Sequence, residues 1–268
     1  MNKHIHPIKD ADYRKLIGVP QSVLKGFKRC AAYVKYLEEQ AQKPPTPAMI
    51  LGHLVEQRLF DTSFQYELSH YPDFRSKEAK EWRDSRVNPI VTAEQWDKSE
   101  AMLKSLRSDA DIMRLLEKGR SSMALTGIHK ETGLAQKALI DFAPDNRPFI
   151  CDLKCLHNET PWGFGRAVSD FRYDIQAVRY TSLWQDVFDE DRTFVFIVVS
   201  SKEPYLCMAY RIPKEVLNDA RHWHDEWMRR YAVCAESGIW PKYGSGIVEC
   251  HVPKWINSED NWEEVVEG

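Results

Sequence analysis

Two acidic residues and a lysine in neighbouring apolar stretches provide the side chains that metal-assisted hydrolysis uses. Asp141 lies near the end of the mostly apolar stretch 134–142, and Asp152 and Lys154 lie within 149–155. The residues between the two stretches favour a turn, so the sequence predicts a β-hairpin. Side chains alternate between the faces of a strand, so Asp152 and Lys154 point the same way and Asp141 can lie beside Asp152.

Three charged groups at one end of a small sheet need compensation. Two carboxylates a few ångströms apart repel each other and do not both stay ionised easily. A divalent cation removes this conflict, and hard oxygen ligands favour Mg²⁺, or Mn²⁺ in its place. Lys154 could then orient water or stabilise charge that develops on a phosphate. The alternative is an edge hairpin on which Asp152 and Lys154 form a surface salt bridge, and the spacing alone does not choose between the two.

Two helices are predicted before the hairpin, over 20–40 and 48–60, because apolar residues recur there at helical spacing. The second helix contains Gly52 and, one turn further on, Glu56. We expect Gly52 to allow the close approach of another backbone, since glycine inside a helix otherwise costs about 1 kcal/mol against alanine. The alternative for Glu56 is a solvated helix charge near Arg58.

A third helix is predicted over 170–188, after the hairpin. Gln176 and Tyr180 are one turn apart on it, and Arg172 and Arg179, seven residues apart, lie on roughly one side. The alternative is a helix that packs against the rest of the protein with these polar residues at its edge.

Candidate DNA contacts lie between the hairpin and this helix, and on the helix itself. The stretch 163–168 is predicted to be a loop with two glycines, and Arg166 in it is the first candidate because guanidinium binds phosphate in a bidentate manner. Arg172 and Arg179 are further candidates. Beyond the helix, the apolar run in 192–200 predicts a strand covered on both faces.

The composition is that of an ordinary globular protein, with 268 residues, 43% of them hydrophobic, and a formal net charge of −3. This charge gives no global attraction to nucleic acid, so DNA binding needs a local basic surface. The N-terminus does not resemble a signal peptide, and no stretch approaches the roughly 20 apolar residues of a membrane span. Six cysteines without a C-x-x-C pair predict reduced thiols. We therefore expect a cytoplasmic protein with no membrane partner.

In combination, three signals resemble the PD-(D/E)XK nuclease superfamily. They are, in chain order, Gly52-x-x-x-Glu56, Asp141 with Asp152-Leu153-Lys154, and Gln176-x-x-x-Tyr180. The last signal is typical of the RecB-like branch, and the stretches 132–141 and 173–176 resemble the RecE (exonuclease eight) group of phage and prophage exonucleases most closely. Ile140 stands where the signature has proline, and Asp152 is a shorter acid than the glutamate of many relatives.

The resemblance implies an α/β fold with a restriction-endonuclease-like core, in which a central mixed β-sheet is flanked by helices. It covers roughly residues 20–240. We accordingly expect an irregular lead-in over 1–19, a single nuclease domain over 20–257 and an acidic, mobile tail over 258–268.

The same resemblance implies a metal site. Asp141 and Asp152 would bind the ion, together with the backbone carbonyl of Leu153. Glu56 would complete the site or hold a water or a second ion. His53 is the alternative fourth contact, because the family often has histidine where this chain has Glu56.

Catalytic roles implied by the resemblance fall on three further side chains. Lys154 would position or deprotonate the attacking water and stabilise charge on the phosphate. Gln176 and Tyr180 would face the site and hold either the scissile strand or Lys154.

The implied activity is Mg²⁺-dependent hydrolysis of DNA from duplex ends, as in phage-type recombination. Family analogy adds a ring-shaped homo-oligomer and a single-strand annealing protein as partner. Two alternatives stay open, an endonuclease of the same superfamily and a catalytically silent DNA-binding or assembly module.

Overall fold

The structure, a computed structural model, describes residues 3–40, 45–60, 66–244, 246–247 and 249–250, and the predicted tail 258–268 lies outside them. Within these residues the chain forms nine strands and ten α-helices. The strands are β1 (Lys3–Ile5), β2 (Val19–Pro20), β3 (Glu67–Leu68), β4 (Ile90–Val91), β5 (Gly119–Ile128), β6 (Ala135–Pro144), β7 (Phe149–Leu156), β8 (Thr193–Ser200) and β9 (Cys207–Tyr210). The α-helices are α1 (Asp10–Lys15), α2 (Gln21–Leu24), α3 (Ala31–Gln40), α4 (Pro47–Phe60), α5 (Lys77–Asp84), α6 (Ala93–Ser108), α7 (Ala110–Leu115), α8 (Pro161–Phe171), α9 (Tyr173–Phe188) and α10 (Lys214–Ser237).

Seven of the strands form one mixed sheet in the order β1-β5-β6-β7-β8-β9, and β2 pairs with β6. Strands β5, β6 and β7 are antiparallel neighbours, whereas β7 and β8 run parallel. The predicted hairpin is present as β6 and β7. Because β7 lies between β6 and β8, the alternative of a hairpin at the edge of the sheet is wrong.

Helices cover both faces of this sheet, which confirms the predicted α/β class. Val195 and Ile197 of β8 pack into a core with α4 and α6. Phe194 and Phe196 face the opposite core, which α9 completes. The apolar run of β8 thus marks a strand buried on both sides, as predicted. No helix in the described part of the chain has both the length and the apolar character that a bilayer crossing requires.

The lead-in 1–19 was expected to be irregular, and the structure shows regular elements there instead. Strand β1 extends the sheet beside β5, and helix α1 follows it. The buried ammonium of Lys137 donates to the backbone carbonyls of Tyr13, Arg14 and Leu16, at 3.2, 3.2 and 2.7 Å. A cation at the carboxyl end of a helix satisfies carbonyls that have no partner within the helix. This tie comes from a distant strand, so local pattern could not reveal it.

The helix predicted over 20–40 is interrupted. Helix α2 passes into a 3₁₀ turn, Lys25–Lys28, before α3 begins. A Cβ on Gly26 would lie 3.0 Å from Cα of Val34 and from Cδ1 of Leu37. The glycine thus allows α3 to fold back against the turn, and the apolar periodicity continued across this break.

Residues 163–168, predicted to be a loop, belong to helix α8. Thr160 caps the helix by accepting a hydrogen bond from the amide of Gly163 at 3.1 Å, and Pro161 occupies the first turn. A threonine followed by proline is a recognised helix start. The two glycines outweighed this signal in the prediction.

Candidate active site

The two predicted acids meet where β6 and β7 pair. Phe142 and Cys151 are register partners, so Asp141 and Asp152 occupy the next position on each strand. Oδ2 of Asp141 accepts a hydrogen bond from the backbone amide of Leu153 at 2.8 Å. The carboxylate of Asp141 therefore takes a place that a strand carbonyl would otherwise fill, and it turns towards β7.

Asp152 is held from two sides. Its side chain is buried, Oδ1 accepts a hydrogen bond from the amide of Gln176, and Oδ2 is in ion contact with the ammonium of Lys154. Among the described residues, Oδ2 of Asp152 receives no hydrogen bond of regular geometry. The exposed salt bridge considered as an alternative is therefore wrong, and one oxygen of this carboxylate keeps unused acceptor capacity.

Asp141 is the acid that the site strains most. Burial raises the pKa of Asp141 well above its usual range, and the negative charges of Asp152 and Glu56 raise it further. Lys154 and the amide of Leu153 oppose these effects without cancelling them. Three carboxylates that disfavour one another's ionisation are what a divalent cation would relieve.

Lys154 is a buried ammonium. Burial acts to lower the pKa of Lys154, but the charges of Asp152, Tyr173 and Asp141 outweigh it, so the net shift is upward. Its Nζ also lies over the ring of Tyr173, 4.8 Å from the centroid. Sequence reasoning did not assign Tyr173 a role, although it opens the helix that carries Gln176 and lies three residues before it.

Helix α4 brings Glu56 to this cluster. The charge of Glu56 acts on the carboxyl of Asp141 and on the thiol of Cys155, whose pKa is raised first by burial and then by Glu56. Gly52, one turn earlier, was expected to admit another backbone. This expectation is wrong, because a Cβ at Gly52 would meet open space. His53 is half-buried on the same helix, and no contact to the two aspartates is observed for it among the described residues.

The predicted Gln–Tyr pair of α9 divides its tasks. Gln176 contacts Asp152, and not Lys154 as one of the predicted alternatives had it. Tyr180 is deeply placed, with its ring edge-on to Phe194 at 5.8 Å between centroids. Burial raises the pKa of Tyr180 well above 10, and the charges of Tyr13, Asp152 and Asp141 add to this effect. The phenol therefore stays neutral beside the acids.

Two of the three predicted DNA contacts are wrong. Arg179 is completely buried, and its guanidinium donates to the carbonyl of Val19 and, at 3.1 Å, to Nε2 of His224. Arg172 is mostly buried and forms a bidentate ion pair with Asp174, with N–O distances of 2.8 to 3.2 Å. Both arginines join helices to one another.

The third candidate, Arg166, stays a prediction. It lies on α8, not in a loop, and its side chain is exposed. Its nearest acidic neighbour is Asp170, one turn further along the helix, at 3.7 Å. An exposed pair of this kind contributes little to stability, so the guanidinium is available to a phosphate.

A second cluster of potential ligands, His129, His224 and Asp225, has atoms within 4.8 Å of one another. Its hydrogen bonds favour a structural role. Arg179 donates to Nε2 of His224, so the proton of that ring lies on Nδ1, which donates to Asp225 at 2.9 Å. Burial lowers the pKa of His224 to about 4, and Arg179 acts in the same direction. A neutral imidazole beside a guanidinium is a poor place for a cation.

The first cluster fits a metal better. Its donors are carboxylate oxygens, which Mg²⁺ and Mn²⁺ prefer, and Asp152 has an oxygen with spare acceptor capacity. The acids Glu56, Asp141 and Asp152 come from α4, β6 and β7, and Lys154 lies two residues beyond the last of them. A mixed sheet between helices, with this arrangement on two inner strands, defines the PD-(D/E)XK class of folds.

Comparison with known proteins agrees. Residues 21–253 match a family described as a PDDEXK-like domain of unknown function (DUF3799), and the chain belongs to that family. The crystal structure of a "Putative exonuclease" from Eubacterium rectale is similar in fold, with a TM-score of 0.66 and 14% sequence identity. The match covers 93% of this chain and 97% of that one. No curated protein matches the sequence.

Proposed function

We propose that this protein is a metal-dependent deoxyribonuclease that hydrolyses phosphodiesters from the ends of duplex DNA. The observation that carries the proposal is the placement of Asp152. Its carboxylate is fixed between Gln176 and Lys154 and lies beside Asp141 on the neighbouring strand. A buried pair of acids with an adjacent ammonium is suited to phosphoryl chemistry.

Asp141, Asp152, the carbonyl of Leu153 and Glu56 are the groups that would hold Mg²⁺. When bound, the ion would supply a Lewis acid for the phosphate and lower the pKa of a coordinated water. Asp141 and Glu56 must both be ionised for this role. The raised pKa of Asp141 indicates that the acids are poised for a cation, since they repel one another without it.

Lys154 acts as a charge stabiliser in this proposal. Hydrolysis forms a bond from water oxygen to phosphorus and breaks the bond to a sugar oxygen, and negative charge builds on the phosphate oxygens. The upward shift of its pKa keeps Lys154 protonated at neutral pH. The ammonium can therefore orient water and neutralise developing charge, whereas removal of a proton from water, the other predicted role, requires a neutral amine.

Three finer parts of the proposal rest on likeness. The neighbouring structure from Eubacterium rectale is named an exonuclease, and the sequence motifs resemble RecE-type enzymes. By analogy we extend the proposal to phage-type recombination, with a single-strand annealing protein as partner. A ring-shaped homo-oligomer around DNA would explain how a chain with a net charge of −3 stays bound.

Digestion of matched DNA substrates tests the activity. We expect the protein with Mg²⁺ to degrade linear duplex DNA, to leave closed circular DNA intact, and to be inactive with a chelator. The Lys154→Ala variant should be inactive, whereas Lys130→Ala should match the parent, because Lys130 is exposed and paired with Asp186 at 2.9 Å. Cutting of the circle would replace the exonuclease with an endonuclease. Equal activity of the parent and Lys154→Ala would remove the site.

A further inference from the structure

Lys25 is a half-buried lysine whose amine has no acidic partner among the described residues. It begins the 3₁₀ turn after α2, and Lys28 ends the same turn. Lys28 shows the ordinary condition, because its exposed ammonium donates to the carbonyl of Ser169 at 2.8 Å and lies 3.8 Å from Asp170. One turn thus carries a compensated lysine and an uncompensated one.

Two aromatic rings connect Lys25 to the candidate active site. Its Nζ lies 5.9 Å from the ring centroid of Phe171, and that ring lies 5.6 Å from the ring of Tyr173. Lys154 lies over Tyr173 at 4.8 Å. The two ammonium groups are therefore placed over adjoining rings, one from the N-terminal segment and one from the central strand β7.

These two cations act unfavourably on each other. Burial lowers the pKa of Lys25, and the charge of Lys154 lowers it further. Lys154 is balanced by Asp152, but no described carboxylate balances Lys25. A cation that is partly removed from water and faces a second cation is stabilised by an anion between them.

We propose that Lys25 is a substrate-binding residue that contacts a phosphate of the nucleic acid backbone, beside the phosphate that Lys154 faces. This inference rests on the proposed nuclease function and adds a residue from outside the three sequence motifs. Phe171 is about half exposed, at 47%, and offers a ring next to the same path. The fold back of α3 at Gly26 fixes the turn in this position.

DNA binding without cleavage is the direct test. A fluorescent duplex oligonucleotide is titrated in the presence of a chelator with the parent, Lys25→Met, Lys25→Arg and the matched control Lys28→Met. We expect Lys25→Met to raise the Kd about tenfold and to reduce the slope of log K against log salt by about one. Lys25→Arg should bind within about threefold of the parent, and Lys28→Met within about twofold, because only Lys25 lacks compensation.

A thermal unfolding scan of each variant separates binding from folding. Lys25→Met should unfold at the same temperature as the parent or higher, since it removes an uncompensated buried charge. Equal DNA affinity and salt slope for the parent and Lys25→Met would overturn the role of Lys25. A parent that binds DNA and cleaves none with Mg²⁺ would overturn the nuclease function and leave the binding result standing. A parent that binds no DNA would overturn both.

Discussion

The side-chain amide of Gln176 donates a hydrogen bond to Oδ1 of Asp152, from helix α9 to strand β7. This bond orients the carboxylate so that its other oxygen meets Lys154. Outer-shell bonds of this kind fix the direction of a ligand and tune its basicity. The glutamine therefore links the two motifs that lie farthest apart in the reading of the sequence, and it does so without touching substrate.

Removal of this amide should weaken metal use. We expect Gln176→Ala to lower nuclease activity about 10- to 100-fold and to raise the Mg²⁺ concentration needed for half of the maximal rate. The matched control is Gln185→Ala, on the same helix, where the amide reaches only Asp189 at 3.4 Å. Initial rates over a Mg²⁺ titration measure both effects. An unchanged Mg²⁺ requirement in Gln176→Ala would contradict the positioning role.

Neutralisation of Asp141 should separate stability from activity. A carboxyl whose pKa is raised on folding contributes stability that is present below its unfolded pKa of about 4 and is lost as the pH rises through the folded value. At pH 7 the metal-free parent has lost that contribution. Asp141→Asn should therefore unfold at a higher temperature than the metal-free parent at pH 7, and its advantage should vanish near pH 3.

The same variant should lose the response to metal. Mg²⁺ should raise the unfolding temperature of the parent, because a ligand that binds the folded state stabilises it, and should not raise that of Asp141→Asn. Activity should fall by more than the roughly 100-fold that outer-shell changes cost. A metal-free Asp141→Asn protein less stable than the parent at pH 7 would refute the strained acid cluster.

The buried and exposed arginines should behave oppositely. Arg179→Met leaves the carbonyl of Val19 and Nε2 of His224 without a donor, so we expect a loss of about 2 kcal/mol or more in the free energy of unfolding. Arg166→Gln should leave stability unchanged and weaken DNA binding about threefold, with a smaller salt slope. Urea titration and DNA titration of each variant decide. A stable Arg179→Met protein with weakened DNA affinity would restore the rejected contact.

His224 should give the folded protein an acid-sensitive step. Burial lowers the pKa of His224 to about 4, so its contribution to stability is complete above the unfolded value of about 6.5 and is lost as the pH falls towards 4. The slope reaches at most about 1.4 kcal/mol per pH unit. His224→Gln should show a flatter decline between pH 6.5 and 4.5 by urea unfolding. The exposed neighbour on α10, His222→Gln, should retain the slope of the parent, and an identical decline in all three proteins would exclude His224 as the cause.

The central part of the fold could be predicted from the sequence because its signals are local. An apolar run identified β8, and the turn residues between two apolar stretches identified the β6–β7 hairpin. Acids two positions apart from a lysine on a strand also have a fixed side, so Asp152 and Lys154 could be assigned together. These features depend on residues close in sequence.

What failed depends on which partner covers a helix face. Arg172 and Arg179 do lie on one side of α9, as their spacing indicates, but that side meets α10 and the segment around β2. Arg179 follows the inward Gln176 by three residues, and this spacing on a helix could have indicated burial. Lys25 was missed because its proximity to Lys154 arises from a turn inside a stretch whose apolar period is uninterrupted.

A manganese-soaked crystal measures the central claim most directly, because anomalous scattering locates the ion without reference to activity. The account predicts one strong peak in contact with carboxylate oxygens of Asp141 and Asp152, with Glu56 nearby and Lys154 on the open side. A peak at His129, His224 and Asp225 instead, or no ion between the two aspartates at saturating Mn²⁺, would contradict it.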